Sequence, residues 1–182
     1  MNAVSPPLHP LSLNAAAVLT GRSVRTWQRR IEDGGVPRLG AANGRAMLPF
    51  AAVQPLLVLD LAEDEVQMLV RADQGDTQAQ AEVGALFALA ALRESRGAAA
   101  TRRRSCAPAA LHFLTQAAQQ GEADAMHWLA ILHAAGLGEP AEPGEGTGQA
   151  GSLMWMAKAA AHGHAIAQGQ VAGLMADKLP KK

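Results

Sequence analysis

Three segments of the chain align without gaps: VRADQGDTQAQAEVGAL, TQAAQQGEADAMHWLAIL and AKAAAHGHAIAQGQVAGL. Gly75, Gly121 and Gly163 superpose, at spacings of 46 and 42 residues. Four residues on stand Ala79, Ala125 and Ala167; eight on, Val83, Leu129 and Val171; eleven on, Leu86, Leu132 and Leu174. Ala72, Ala118 and Ala160 precede the glycines in register. A repeat of this length is one supersecondary unit that must stack on its neighbours to bury its apolar face. The pattern reads as helix, glycine turn, helix, because glycine adopts the left-handed backbone that stops a helix. Small alanines let the helices approach closely, with Leu, Val, Trp128 and Trp155 between them.

Composition agrees with a mainly α chain. Apolar residues make up 49% but aromatics only 3%, with no Tyr. Alanine favours helix, since it has no side-chain entropy to lose there. The chain is formally neutral, with 16 Lys plus Arg against 16 Asp plus Glu. Cys106 is the single cysteine, which excludes an internal disulfide and a cysteine metal cluster. Residues 1–12 lack a basic start and an apolar run, and no stretch reaches the roughly 18 apolar residues of a membrane span. The expectation is a cytoplasmic protein without a membrane anchor.

The repeated segments resemble Sel-one-like repeats, the tetratricopeptide-type units, most clearly in LMWMAKAAAHGHAIAQGQVAGLM, residues 153–175. The resemblance covers most of residues 66–177 and implies a short solenoid of α-α hairpins that binds a protein partner. Leu153, Trp155, Met156, Val171 and Leu174 are then expected to pack on the unit that contains Trp128. The family's tyrosines are missing, and its glycine link is reduced to Gly136-Leu137-Gly138. The segments SRGAAATRRRSCAP, with Arg102, Arg103 and Arg104, and GLGEPAEPGEGTGQAG read as long loops.

The repeat leaves out the first sixty residues, where arginine concentrates. Five of the twenty residues of TGRSVRTWQRRIEDGGVPRL are arginines, four of them (Arg22, Arg25, Arg29 and Arg30) on or beside one short helical pattern. Residues 1–12, with three prolines, read as a flexible lead-in. LNAAAVL, residues 13–19, reads as a short helix stopped at Gly21, and Ser23 as the N-cap of the next. Val24, Trp27 and Ile31 form a narrow apolar stripe at helical spacing. Arg25, Thr26, Arg29 and Arg30 point away from it, and Gln28 lies on its flank. Gly34-Gly35 stops this helix. Asn43-Gly44 then signals a hairpin with strands near residues 37–39 and 46–48, and a helix limited by Pro55 follows.

Residues 11–53 resemble the small MerR-type and phage-excisionase DNA-binding domains, in which this order is a winged helix-turn-helix. The resemblance implies a domain over residues 13–60 whose second helix enters the major groove of double-stranded DNA. Arg22, Ser23, Arg25, Thr26, Gln28, Arg29 and Arg30 would supply contacts from that helix, and Arg38 and Arg45 from the wing. Arginine suits both guanine edges and phosphate. An arginine-rich face taken alone is only a solvated surface; the cap, turn and hairpin around it point to DNA. Residues 1–57 carry six arginines against Glu32 and Asp33, a local charge of +4 inside a neutral chain.

No catalytic constellation stands out. His127 and His133 are six residues apart, and His162 and His164 flank a glycine, so no pair has the four-residue spacing of a helical zinc site. Basic neighbours at Cys106 have no partner base in the sequence. The expected protein is a non-enzymatic transcription regulator without metal or cofactor. Its winged head would bind DNA, its repeat tail a protein, and residues 178–182 would form a flexible tail; a homodimer is compatible with this. The alternatives are a protein-interaction adaptor that does not bind DNA, or an excisionase-like factor that bends DNA during recombination.

Overall fold

The computed structural model describes residues 8–40, 46–93, 100–138 and 148–177. They are mainly helical, with a small three-stranded antiparallel sheet. The chain divides into two compact units, Met1–Asp76 and Thr77–Lys182.

In the first unit the order is β1 (Pro10–Ser12), α1 (Leu13–Thr20), α2 (Val24–Glu32), β2 (Leu39–Gly40), β3 (Ala46–Pro49), α3 (Phe50–Val53) and α4 (Glu63–Asp73). A 3-10 turn at Gln54–Leu56 contains Pro55, which ends α3 after one turn. The strands run in the order β1-β3-β2, with Leu11 opposite Leu48 and Leu39 opposite Met47. Leu11 and Leu48 are both fully buried.

Local chemistry sets the element boundaries. Ser12 caps α1, its hydroxyl accepting the Ala15 N–H at 3.1 Å. Gly21 closes that helix at φ 66°. Ser23 caps α2 through the Thr26 N–H at 3.1 Å, and Gly34 ends it at φ 72°. Trp27 is the fully buried centre of α2, flanked by the half-buried Val24 and Ile31.

Two readings of this region change. Pro10–Ser12 is a strand rather than lead-in, because the carbonyl of His9 and the residues of β1 find partners on Phe50 and β3. Proline is tolerated there, at the outer edge of a sheet. Helix α4, assigned by the repeat to the tail, belongs to the first unit and packs on β1. The Asn43-Gly44 turn and Arg45 lie outside the described residues; β3 falls within one residue of its expected place, and β2 starts two residues later than expected.

The second unit contains α5 (Thr77–Arg93), α6 (Ala100–Gln119), α7 (Ala123–Ala134), α8 (Gly148–Ala161) and α9 (Ala165–Asp177). Its core is built of small residues around a few large ones, with Phe113, Leu114, Leu129 and Leu132 almost wholly buried. Arg102, Arg103 and Arg104 lie within α6, not in a loop. Alanine and arginine are strong helix formers, which suits residues 100–104 to a helix. Cys106 is buried in the core and forms no disulfide.

The glycine turns repeat in geometry as they do in sequence. Gly75, Gly121 and Gly163 have φ of 98°, 92° and 93°. Each donates to the carbonyl three residues back, and the next residue to the carbonyl five back: Asp76 to Arg71 at 3.1 Å, Glu122 to Ala117 at 3.1 Å, His164 to Ala159 at 3.0 Å. This paired closure is the Schellman type of helix stop. Gly136 ends α7 in the same way, at φ 70°.

Helices α5 and α6 make the most extensive contact of the second unit. Gly84 sets its closeness: a Cβ there would stand 2.6 Å from Leu114 Cγ and 3.0 Å from the Leu114 backbone nitrogen. A part-buried amide chain, anchored on buried Gln80, links the two helices. Gln80 donates to Gln116 at 2.9 Å and accepts from Gln120 at 2.8 Å, while the Thr77 hydroxyl donates to Gln120 at 2.6 Å.

Two stability outcomes follow. Trp27→Ala removes a fully buried indole, with an expected loss of about 3–5 kcal/mol, comparable with the whole stability of a small unit. Urea unfolding followed by circular dichroism checks it, and a wild-type midpoint would contradict the burial. Gly84→Ala sets about 1 kcal/mol of helix propensity against about 1–3 kcal/mol of overpacking on Leu114. The clash reaches backbone, so the expected net is a lower melting temperature, measurable by calorimetry.

Candidate functional site

Helix α2 presents the sequence-nominated residues unevenly. Arg25, Gln28 and Arg29 are exposed, and at 100° per residue they share an arc of about 100°. Arg22 and Ser23 are exposed at the turn that precedes the helix, and Arg38 is exposed just before β2. Arg25, Arg29 and Arg30 line one surface depression with Ser23, Thr26 and Asp33. Three arginines and one aspartate thus border the same depression.

Two nominated groups have prior engagements. Arg30 is half-buried and lies over the Trp27 ring, 5.3 Å from its centroid, instead of pointing away from the apolar stripe. Position 30 follows Trp27 by three residues, so the two side chains are helical neighbours, and a guanidinium stacks well on an indole face. Arg30 therefore helps cover the core, while Arg25 and Arg29 are the outward pair. The Ser23 and Thr26 hydroxyls bond each other at 2.9 Å, which occupies one donor of the capping pair.

Charge also needs a narrower statement than the sequence suggested. Over residues 1–76, eight acids stand against seven arginines. The additional acids, Asp60, Glu63, Asp64, Glu65, Asp73 and Asp76, come with α4 and its flanks. The basic character is a local property of α2 and its neighbours, not of the whole unit.

The histidines supply a second cluster, between α7 and α9. The His127 and His164 rings stack 4.1 Å apart at 27°. His127 Nε2 meets Gln170 Oε1 at 3.2 Å, and His164 Nε2 lies 3.4 Å from Asp124 Oδ1. His164 Nδ1 accepts the Ala167 N–H at 3.1 Å and so caps α9. Because that nitrogen serves as a cap, the pair is a packing element. Half-buried His133 packs against the backbone at Gly138 and Gly151, where a Cβ would clash with its ring. Among the described residues, no group of three His, Cys, Asp or Glu side chains is placed to hold a metal ion.

No protein-family model, curated protein or solved structure matches the chain. No helix among the described residues is long and apolar enough to cross a membrane.

The apolar face expected on the last unit is not packed as a face. Leu153 and Leu174 remain 52% and 48% exposed, while Trp155, Met156 and Val171 are half-buried. Sequence spacing placed these residues on helices correctly, but it holds no information about whether a further layer covers them.

Burial, followed by the nearby His164, lowers the pKa of His127 from its usual 6.5. A histidine whose pKa is lower when folded takes up protons more readily in the unfolded chain. The second unit is thus at full stability above about pH 6.5 and loses stability as pH falls from there through the folded pKa. Melting temperatures measured from pH 8 to 5 should drop below about pH 6.5. His127→Gln should flatten that drop; an unchanged profile would exclude His127 as its source.

Proposed function

We propose that the chain is a DNA-binding regulatory protein, with a winged helix-turn-helix head and a helical-repeat tail that serves as a protein-interaction scaffold. The observation that carries the first half is the exposed Arg25–Gln28–Arg29 arc on a helix fixed from behind by buried Trp27. A recognition helix needs this combination: a rigid seat, and long donors free to reach base edges and phosphates. Arg22 at the preceding turn and Arg38 ahead of the hairpin extend the basic surface to either side, where the DNA backbone would run. Phosphate contacts would position the head, and Arg25 or Gln28 would read bases.

The second half is supported by the threefold glycine turn and by apolar side chains left uncovered on the last two helices. Ile166 is 62% exposed and Met175 66%. Apolar surface of this kind marks an interaction site on a soluble chain.

The near-balance of acids and arginines over residues 1–76 favours one rival, an adaptor head that binds an acidic protein segment through the same arginines. Salt and sequence dependence on duplex DNA separate the two. Fluorescence anisotropy should show DNA affinity falling steeply with salt, as condensed counterions are released. Arg25→Ala should weaken the preferred duplex by about 1–3 kcal/mol and narrow the gap to a scrambled duplex. Arg38→Ala should weaken both alike. Undiminished binding by Arg25→Ala, or no binding to any duplex at low salt, would refute the DNA reading.

A further inference from the structure

We infer that the stacked His127 and His164 rings form a pH-sensitive latch, which holds α9 on α7 near neutral pH and releases it in acid. The inference is independent of DNA binding and of any partner of the tail.

Helix α9 is lightly held. Among its described side chains Ala167 is buried, Val171 is half-buried and the rest are exposed. A segment with so few buried apolar groups opens before the rest of its unit. Its polar ties therefore weigh heavily. Gln168 Nε2 donates to the Ala160 carbonyl of α8 at 3.1 Å, a bond that does not titrate. The ties to α7 run through the two rings. His127 Nε2 donates to Gln170 Oε1 at 3.2 Å, and His164 Nε2, at the head of α9, lies 3.4 Å from Asp124 Oδ1. Release would expose Ala167, so the tail would present a different surface in acid than near neutral pH.

The arrangement suits neutral rings. A neutral imidazole has one acceptor nitrogen, and an imidazolium has none. His164 Nδ1 accepts the Ala167 N–H, so a proton on that nitrogen removes the cap of α9. His127 Nε2 faces an amide oxygen and carries its hydrogen, so an added proton goes to Nδ1. Charging both rings would set two cations 4.1 Å apart. Asp124 and His164 are the charged or titratable groups that act on His127, and Asp124 is exposed, where solvent screens it. The other ionisable side chains nearby are turned to different neighbours: Lys158 lies over the Trp155 ring, His162 beside Gly121, and His133 at Gly138 and Gly151. Burial first, then His164, lowers the His127 pKa, so the released state binds protons more readily than the closed one. The latch is thus fully closed above about pH 6.5 and opens as pH falls through the lowered value.

Backbone hydrogen exchange, read by NMR on the full chain at pH 8 and pH 5, tests this. Protection factors remove the pH dependence of the exchange chemistry itself. Residues 169–176 should be less protected than α5 and α6 at both pH values, and their protection should fall about fivefold or more at pH 5. His164→Asn keeps a capping oxygen, His127→Gln keeps a donor for Gln170, and neither replacement titrates. The double variant should retain the wild-type circular dichroism spectrum at pH 8 and hold α9 equally at both pH values. Equal protection of α5, α6 and α9 would overturn the latch, because the unit would then open only as a whole. Unchanged protection of α9 between the two pH values would overturn it too, as would a fall of wild-type size in the double variant. If the double variant does not fold, NMR titration of the wild-type imidazoles decides: a His127 midpoint at or above about 6.5 overturns the latch, and one below it supports the latch.

Discussion

The carboxylate of Asp73 holds the first unit together at a point that sequence distance conceals. It accepts both the Ser12 backbone N–H and the Ser12 hydroxyl, each at 2.6 Å, across 61 residues. The same hydroxyl accepts the Ala15 N–H and so caps α1. One serine thereby joins the edge of the sheet, the start of α1 and the end of α4. Such charge-assisted bonds are shorter and stronger than neutral ones, and partial burial limits their screening. At the other end of α4, Glu63 meets His9 at 2.8 Å, just before β1. With both ends of α4 held, Leu11 is enclosed and β1 becomes part of the core.

That arrangement explains what the sequence disclosed and what it withheld. Gly21, Ser23 and Gly34 act through bonds to residues a few positions away, and Trp27 through a helical stripe, so each was legible. The three turn glycines were legible for the same reason. Proline-rich residues 10–12 gave no such signal, because their strand exists only through partners on β3 and a carboxylate far along the chain. The allegiance of α4 was hidden in the same way: its repeat pattern describes a helix and a glycine stop but not the body on which the helix packs.

Of the candidate interface, the sequence supplied its members but not their ranking. Helical periodicity put Arg25, Thr26, Arg29 and Arg30 on one broad face. Stacking on Trp27 then withdraws Arg30 toward the core, and capping ties Thr26 to Ser23, which leaves Arg25, Gln28 and Arg29 as the free set. The distinction is energetic. A guanidinium over an indole gains a contact without leaving water entirely, whereas an arginine facing outward gains little until a ligand arrives. The acids that α4 brings into the unit could not be weighed while its place was unknown.

In the second unit, the same physics that permits close packing also leaves a surface unfinished. Glycine at position 84 costs helix propensity, and the fit of Leu114 against it offsets that cost. Gly169 and Gly173 carry the same cost in α9, yet a Cβ on either would meet nothing. Alanine at both positions would make α9 a better helix in isolation. The cost that Leu114 offsets at Gly84 is therefore not offset at Gly169 and Gly173 by any of the described residues.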